Sequence, residues 1–343
     1  MINDKISDIE QLEEILSEPT EGVIETLGRL DGDIIILGVA GKMGPSLARM
    51  AKRASDAAGV DRRIIGVSRF SSGDEASKLA SFGIETIKCD LLDPEQLNAL
   101  PDVPNVVYMA GMKFGSTGQE ALTWAMNAYL PGKVCEKYRS SRIVAFSTGN
   151  IYGLTPLTLG GSDESDAPNP TGDYAISALG RERMFEHFSR TMGIPVSIIR
   201  LNYAVEMRYG VLVDVARKVF AGEPIDLTMG NANVIWQGDA NAMSLQSFDY
   251  AASPPFMLNV AGPEMMSIRR AVEEFGSLMG KDVEFHGTES PDALLSNGQL
   301  GHWLFGYPSV PARRMVHWIA DWVTRGGESL GKPTHFEARD GKF

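Results

Sequence analysis

The sequence predicts an α/β fold: a doubly wound parallel sheet with a smaller C-terminal lobe. Two observations support it. Short apolar runs alternate with helical segments from residue 34 to about residue 201, and this alternation loosens afterwards. With 343 residues, 43% of them hydrophobic, the chain has enough material for a sheet core and a second lobe. The expected division is an arm (1–31), a sheet domain (32–201) joined by a returning strand near 256–262, a substrate lobe (202–330) and a polar, extended tail (331–343).

Charge and composition exclude several classes of function. The formal net charge of −12 argues against binding to nucleic acid or to an anionic membrane surface. Cys89 and Cys135 are the only cysteines, and neither they nor the five histidines show metal-ligand spacing. No apolar run approaches the ~18 residues of a membrane span. We therefore expect a cytoplasmic protein with a small-molecule substrate and no metal.

The arm precedes the first sheet strand. Residues 3–17 have the periodicity of an acidic amphipathic helix, Pro19 ends it, and residues 21–30 form a second short helical segment. The first interpretation is that these helices dock on the sheet. The alternative is an arm that binds a partner or another copy of the chain.

A strand, a glycine turn and a helix follow in direct succession. The apolar run Ile34–Leu37 leads into Gly38, Gly41 and Gly44, and a helical segment begins at Pro45. Glycines allow a sharp turn and a close approach of backbone N–H groups to a pyrophosphate, and the helix N-terminus attracts that anion. This pattern predicts a Rossmann-type dinucleotide site, in which Lys42 and Met43 also take part.

The end of the second strand bears on the choice between NAD and NADP. The strand covers residues 62–68 and is followed by Arg69, with no carboxylate after Ser68 to bind ribose hydroxyls. A guanidinium can bind a 2′-phosphate, which a carboxylate would repel. Arg69, together with Lys42, therefore favours NADP over NAD.

Two further strands approach the same edge of the sheet. A short strand lies within residues 83–88, and residues 105–111 form the next one, ending in the small residues Ala110 and Gly111, which permit close approach of a cofactor. Residues 112–115, which include Phe114, are expected over the nicotinamide side. A long helix is predicted for residues 118–139, with a kink at Pro131.

The remaining elements complete the sheet and build the lobe. Strands are predicted at residues 142–148, 194–201 and 256–262, and helices at residues 172–192, 211–221, from 238, 267–280 and 310–323. Ligands of such a sheet bind outside the carboxyl ends of its strands.

Several motifs together resemble those of the extended short-chain dehydrogenase/reductase (NAD-dependent epimerase/dehydratase) family over most of residues 33–325. They are the G-x-x-G-x-x-G spacing, the segment Phe146–Gly153 and the helix that carries Tyr174. The resemblance implies that Thr148, with Ser147, polarises a substrate oxygen and that Tyr174 moves its proton.

The same resemblance implies further contacts. Asp90 and Leu91 take the positions that contact the adenine ring in the family. Arg200, Asn202 and Asn150 take positions at which substrate contacts are expected, and Lys113 faces the same crevice.

One position departs from the family pattern. Four residues after Tyr174, where the family has the lysine of Tyr-x-x-x-Lys, stands Ala178. A tyrosine titrates near ~10 in water and needs a nearby cation to act near neutrality. Arg181 lies roughly 10 Å further along the helix at 1.5 Å per residue and looks like a poor substitute. Lys113, entering from across the crevice, is the better candidate, and it is therefore both a catalytic and a substrate-binding prediction.

The resemblance implies an NAD(P)-dependent oxidoreductase or epimerase of sugar nucleotides or other polyhydroxylated carbonyl compounds. Dehydration ranks lower because Gly149 and Asn150, not Asp and Glu, follow Thr148. The alternative is a catalytically degenerate NADP-binding sensor or scaffold, which Ala178 favours. In either case the resemblance implies a homodimer formed through the helices near 118–139 and 172–192.

Overall fold

The structure is a computed structural model that describes residues 5–71, 73–113, 115 and 117–341. Its helices are α1 (Ile9–Leu16), α2 (Glu21–Arg29), α3 (Gly44–Ala57), α4 (Glu75–Ser81), α5 (Pro94–Ala99), α6 (Glu120–Trp124), α7 (Leu130–Lys137), α8 (Gly172–Met192), α9 (Val211–Ala221), α10 (Gln237–Gln246), α11 (Ile268–Met279), α12 (Gln299–Phe305) and α13 (Ala312–Thr324). Its strands are β1 (Ile34–Leu37), β2 (Ile64–Ser68), β3 (Glu85–Lys88), β4 (Asn105–Tyr108), β5 (Arg142–Thr148), β6 (Thr155–Pro156), β7 (Val196–Leu201), β8 (Ala204–Val205), β9 (Ile225–Asp226), β10 (Asn231–Ala232), β11 (Ile235–Trp236), β12 (Phe256–Val260), β13 (Met266–Ser267), β14 (Phe285–His286) and β15 (Asp292–Ala293).

Seven strands form one parallel sheet in the order β12-β7-β5-β4-β1-β2-β3. Ile34 of β1 lies opposite Ile64 of β2 on one side and Asn105 of β4 on the other. The strand order reverses between β1 and β4, and this is where a crevice opens at the carboxyl ends of a doubly wound sheet. The predicted α/β fold class is confirmed.

Helices cover both faces of the sheet. Ile34 and Ile36 of β1 belong to the core that packs beneath α2, α3 and α10, whereas Ile35 and Leu37 belong to the core on the opposite face, with α5, α7 and α8. This alternation follows from the two-residue period of a strand. Both faces are therefore buried, as a parallel sheet requires.

The arm docks on the rest of the molecule. Helix α1 begins at Ile9, later than the sequence predicts, because the Asp8 carboxylate accepts a hydrogen bond from the Gln11 N–H (2.8 Å) and caps the helix there. Leu12 of α1 lies in the core of the C-terminal lobe, and Val23 of α2 lies in the sheet core. The arm therefore packs against both parts of the chain.

Two segments differ from the sequence-based expectation. Helix α10 belongs to the predicted lobe by sequence, but it contacts α2 and α3 on the face of the sheet. Every residue of α10 is buried, which agrees with this position. Residues 331–341 have no helix or strand but are not a free polar tail. The Thr334 N–H and hydroxyl both donate to Asp214 Oδ2 (2.7 and 2.6 Å), and Phe336 is buried.

The long helix predicted for residues 118–139 is interrupted by a π turn at Ala125–Tyr129, between α6 and α7. The Leu130 N–H donates to the Ala125 carbonyl, five residues back. Pro131 comes directly after Leu130 and has no backbone N–H, so it cannot make the helical hydrogen bond to a residue one turn earlier. The π turn therefore lies just before the proline. Within the described residues, no helix is long and apolar enough to cross a membrane.

Candidate active site

A cavity of about 1090 Å³ opens at the carboxyl ends of β1, β4 and β5 and is also lined by the arm, the lobe and the tail. The sequence-predicted site residues that line it are Gly38, Gly41, Lys42, Met43, Arg69, Gly111, Lys113, Ser147, Thr148, Asn150, Tyr174 and Asn202. Gly44, Ser68, Asp90, Leu91, Ala110 and Arg200 do not line it. Phe114 lies outside the described residues.

The glycine turn is built for close backbone approach. Gly38 has φ +91°, and a Cβ there would lie 2.7 Å from the Ala110 N atom. A Cβ on Gly44 would lie 2.1 Å from the Val39 carbonyl oxygen, so this glycine lets α3 pack tightly against the turn. Gly44 and Ala110 thus shape the turn from behind, while Gly38 and Gly41 face the cavity.

The end of the cavity beside β2 carries charged groups. Arg69 is exposed and lines the cavity directly after β2. Glu13 of the arm accepts hydrogen bonds from Lys78 Nζ (3.0 Å) and from Arg208 Nη1 in the lobe (2.9 Å), and it therefore bridges the two sides of the cavity. This bridge could not be seen in the sequence because its three residues are far apart along the chain.

The two residues assigned to adenine contact lie behind the cavity wall. The Asp90 carboxylate accepts a hydrogen bond from the Leu92 N–H (3.0 Å), and the Leu91 side chain is buried. Leu92, the next residue, lines the cavity instead. Leu92, rather than Asp90 or Leu91, therefore forms this part of the cavity wall.

Three of the lysines that line the cavity, Lys42, Lys113 and Lys332, lie near one another. Lys42 Nζ lies 3.0 Å from the centroid of the Tyr209 ring in the lobe. Burial, with the nearby charges of Lys113 and Lys332, lowers the pKa of Lys42 to about 6. Burial likewise lowers the pKa of Lys113 to about 8. An anionic ligand here would relieve the repulsion among these ammonium groups.

Thr148 and Tyr174 are brought together as predicted. Thr148 ends β5, and its Oγ1 accepts a hydrogen bond from the Asn150 N–H (3.2 Å) in the following 3₁₀ turn. Tyr174, in the first turn of α8, lines the same cavity, and Thr148 is near enough for its side chain to act on the pKa of Tyr174. Burial raises the pKa of Tyr174, although the charge of Arg181 and the Thr148 side chain act in the opposite direction.

Ser147 and Arg200 belong to a buried network behind this pair. Ser147 Oγ donates to Glu182 Oε1 (2.5 Å), so its proton is already engaged. Arg200 pairs with Glu182 (Nη2–Oε2 2.9 Å) and donates to the Tyr152 hydroxyl (2.7 Å). Glu182 is fully buried and Arg200 is 4% exposed. Arg200 is thus held in a buried ion pair behind the cavity, whereas Ser147 lines the cavity and its catalytic role stays a prediction.

Asn202 lines the cavity, but its side chain is anchored in the lobe. Asn202 Nδ2 donates to Asn233 Oδ1 (2.7 Å), and Asn233 in turn donates to the Ser296 carbonyl (2.6 Å). Asn202 therefore connects the end of β7 to the lobe. The role of Asn150, which is buried at the cavity wall, stays a prediction.

The π turn projects Asn127 into the base of the site. Its Oδ1 accepts from the Met112 N–H (2.8 Å) and from Arg181 Nη2 (2.7 Å), and its Nδ2 donates to the Met112 carbonyl (2.9 Å) and to Ser177 Oγ (3.0 Å). Four hydrogen bonds satisfy the amide completely. Asn127 therefore fixes the loop that carries Lys113, and π turns often occur at such functional sites.

Sequence reasoning underestimated Arg181. Its side chain lines the cavity and is 7% exposed, and its Nη1 donates to the Phe146 carbonyl (2.7 Å). The rise per residue measures the separation of backbones, but an arginine side chain is long and leans towards the helix N-terminus. The i, i+7 spacing from Tyr174, which keeps both residues on one helix face, is the feature that could have identified it.

Comparisons with known proteins identify the family and the fold. A model of the NAD dependent epimerase/dehydratase family matches residues 34–228. No curated protein sequence matches the chain significantly. Among solved structures, UDP-glucuronic acid 4-epimerase from Bacillus cereus in complex with NAD is 16% identical, with a TM-score of 0.71 over 87% of this chain and 99% of that chain.

Two other structures show the same fold. UDP-glucose 4-epimerase from Thermotoga maritima with UDP-glucose has a TM-score of 0.70 at 16% identity, over 86% of this chain and 99% of that one. dTDP-glucose 4,6-dehydratase from Bacillus anthracis in complex with NAD has a TM-score of 0.70 at 15% identity, over 86% and 97%. Since the family model spans more than half of the 343 residues, and the glycine turn and the Thr148–Tyr174 pair fall within it, this chain belongs to the NAD-dependent epimerase/dehydratase family.

Proposed function

We propose that the protein is an NAD(P)-dependent oxidoreductase or epimerase that acts on a sugar nucleotide or another polyhydroxylated carbonyl compound. The observation that carries this proposal is that Thr148 and Tyr174 line the same cavity as the glycine turn. The similar solved structures are named as sugar-nucleotide epimerases and a dehydratase. A screen of sugar nucleotides and free sugars, followed by nicotinamide absorbance and by product analysis, tests it.

The residues of the cavity fit a dinucleotide. Gly38 and Gly41 leave room for a pyrophosphate above the N-terminus of α3, and Lys42 beside them would take up a proton next to a phosphate. A bound nicotinamide would supply or accept hydride. Thr148 would hydrogen-bond the reacting substrate oxygen, and Tyr174 would give or take the proton of that oxygen. Gly149 and Asn150 supply no acid after Thr148, so elimination of water remains the less favoured reaction.

The preference for NADP rests on Arg69. Replacing Arg69 by alanine is expected to weaken NADPH binding about 10- to 100-fold, the effect of one charge-assisted hydrogen bond, and to leave NADH binding nearly unchanged. Fluorescence titration of the reduced cofactors measures both. Arg63→Ala is the matched control, because Arg63 is also exposed but precedes β2 and pairs with Asp33 away from the cavity. Equal losses for NADPH and NADH in Arg69→Ala would contradict the preference.

Lys42 predicts a pH effect on cofactor binding. With a pKa of about 6, most of its side chain is neutral at neutral pH. Phosphate oxygens nearby would favour the ammonium form, so dinucleotide binding should take up protons, and affinity should fall as pH rises. Calorimetry in two buffers of different ionisation enthalpy measures the uptake. Lys42→Met should abolish it, whereas the exposed Lys88→Met should not; uptake that persists in Lys42→Met would rule out this assignment.

The second candidate function is a dinucleotide-binding sensor or scaffold without turnover. Position 178 favours it, since Ala178 is fully buried and packs against Ile151 and Tyr152, so no lysine reaches the site from there. Tight binding of NADPH or NADH with no turnover on the substrate panel would support this alternative.

A homodimer through the helices near 118–139 and 172–192 is also proposed. Several exposed apolar side chains lie in these two ranges, namely Leu122, Trp124, Tyr129, Ile176 and Met192. A second copy of the chain would cover them, since exposed apolar clusters commonly mark protein interfaces. Sedimentation equilibrium of the full chain distinguishes dimer from monomer.

A further inference from the structure

The base of the active site contains a buried cation two turns further along the helix that carries Tyr174. Arg181 follows Tyr174 by seven residues on α8 and so lies on the same helix face. Its side chain reaches the Phe146 carbonyl, directly before Ser147 and Thr148 on β5. The guanidinium is therefore at the strand end that holds the reacting hydroxyls.

The surroundings of Arg181 hold this charge in one place. Besides the bond to Phe146, its Nη2 donates to Asn127, whose amide is completely hydrogen-bonded. Gly111 leaves the space that the guanidinium occupies, since a Cβ at that position would lie 2.2 Å from Nη2. The end of β5, the π turn and the loop after β4 thus all contact the Arg181 side chain or leave room for it.

One nitrogen of this guanidinium group, Nε, makes no hydrogen bond within the part of the chain that the structure describes. This nitrogen is also buried. An unpaired buried donor is costly, and the same side chain lines the cavity. A ligand oxygen in the cavity would satisfy it.

The ionisable groups that face Tyr174 come from three elements. They are Arg181 on its own helix, Lys113 from the loop after β4, with Nζ 5.6 Å from the Tyr174 ring centroid, and Tyr209 from the lobe. Lys113, whose pKa is lowered to about 8, loses its charge as pH rises through that value, whereas an arginine stays charged. Arg181 is thus the permanent cation of this group.

We propose that Arg181 takes the place of the missing lysine: its guanidinium favours the phenolate of Tyr174, and its Nε–H donates to a ribose hydroxyl on the nicotinamide side of the cofactor. The inference rests on the proposed function. It makes Arg181 both a cofactor-binding residue and a positioning residue for the proton transfer.

The test uses Arg181→Met, Arg181→Lys and, as control, Arg183→Met, which removes an exposed arginine from the same helix. In Arg181→Met we expect at least tenfold weaker NADPH binding, and the pH at which Tyr174 ionises should rise by about one unit, which corresponds to a tenfold change. The ionisation is measured by following tyrosinate absorbance as a function of pH. The contribution of Tyr174 is the part of the absorbance change that is absent when Tyr174→Phe is introduced. Arg181→Lys should recover part of both, and Arg183→Met should change neither.

A second variant guards against misfolding. Gly111→Ala keeps the arginine but pushes on its guanidinium, and should shift both measurements in the same direction. Lys113→Met should shift the ionisation of Tyr174 less than Arg181→Met does. Unchanged binding and ionisation in folded Arg181→Met, or a larger shift in Lys113→Met, would overturn this inference alone. Absence of dinucleotide binding by the wild type would overturn the proposed function and this inference with it.

Discussion

Replacing Tyr174 by phenylalanine is expected to lower turnover by about 10²- to 10⁴-fold, the usual contribution of a positioned general acid or base. The phenyl ring keeps the packing at the start of α8 but has no proton to exchange with a substrate oxygen beside Thr148. Cofactor affinity should change much less than kcat. Steady-state kinetics on the substrate found in the screen, with a parallel NADPH titration, measures both quantities.

The matched control for this experiment is Tyr129→Phe. Tyr129 is 55% exposed on the π turn and lies outside the cavity lining, so its loss should leave kcat within about twofold. If Tyr174→Phe retained wild-type turnover while Thr148→Ala lost it, the proton would have to pass through another group. Lys113 would then be the first residue to examine.

Replacing Arg200 by methionine is expected to lower the free energy of unfolding by about 3–5 kcal/mol. The Glu182 carboxylate, fully buried, would lose its charged partner and keep only the short hydrogen bond from Ser147. Urea unfolding followed by circular dichroism measures the change. This prediction separates a structural ion pair from the substrate-binding role that the sequence had assigned to Arg200.

Arg183→Met serves as the control for Arg200→Met. Arg183 pairs with Glu186 on the exposed surface of the same helix, where such a pair contributes about 0–1 kcal/mol. Similar losses of stability in the two variants would mean that the buried Glu182–Arg200 pair contributes no more to stability than an exposed pair does. Normal stability of Arg200→Met with a raised KM for substrate would restore the binding role.

The parts of the fold and of the site that depend on residues close together in the chain could be predicted from the sequence. Three glycines between a strand and a helix predict the turn, because few other residues adopt its positive φ at Gly38 or leave room at Gly44. Thr148 and Tyr174 could be paired because both the end of β5 and the start of α8 point to the same edge of the sheet. The alternation of strands and helices likewise predicts the sheet.

The rest depended on contacts between distant residues. The π turn at Ala125–Tyr129 turns Asn127 towards Met112 and Arg181, and no local pattern predicts that rotation. Arg200 was assigned by its position in a family pattern, yet a buried carboxylate 18 residues earlier takes its charge. The polar composition of residues 331–343 predicted an extended tail, but it could not show that Thr334 donates a hydrogen bond to Asp214 on α9.

The Glu13 bridge has a consequence for the order of events during synthesis. Glu13 emerges from the ribosome early, but its partner Arg208 follows 195 residues later, which at ~5–20 residues per second is a delay of roughly 10–40 s. During that interval the core of the lobe, to which Leu12 and Leu16 belong, is incomplete. Helix α1 is translated before the lobe but completes its packing only after the lobe has formed, and a nascent chain halted before residue 208 should expose it to proteases and chaperones.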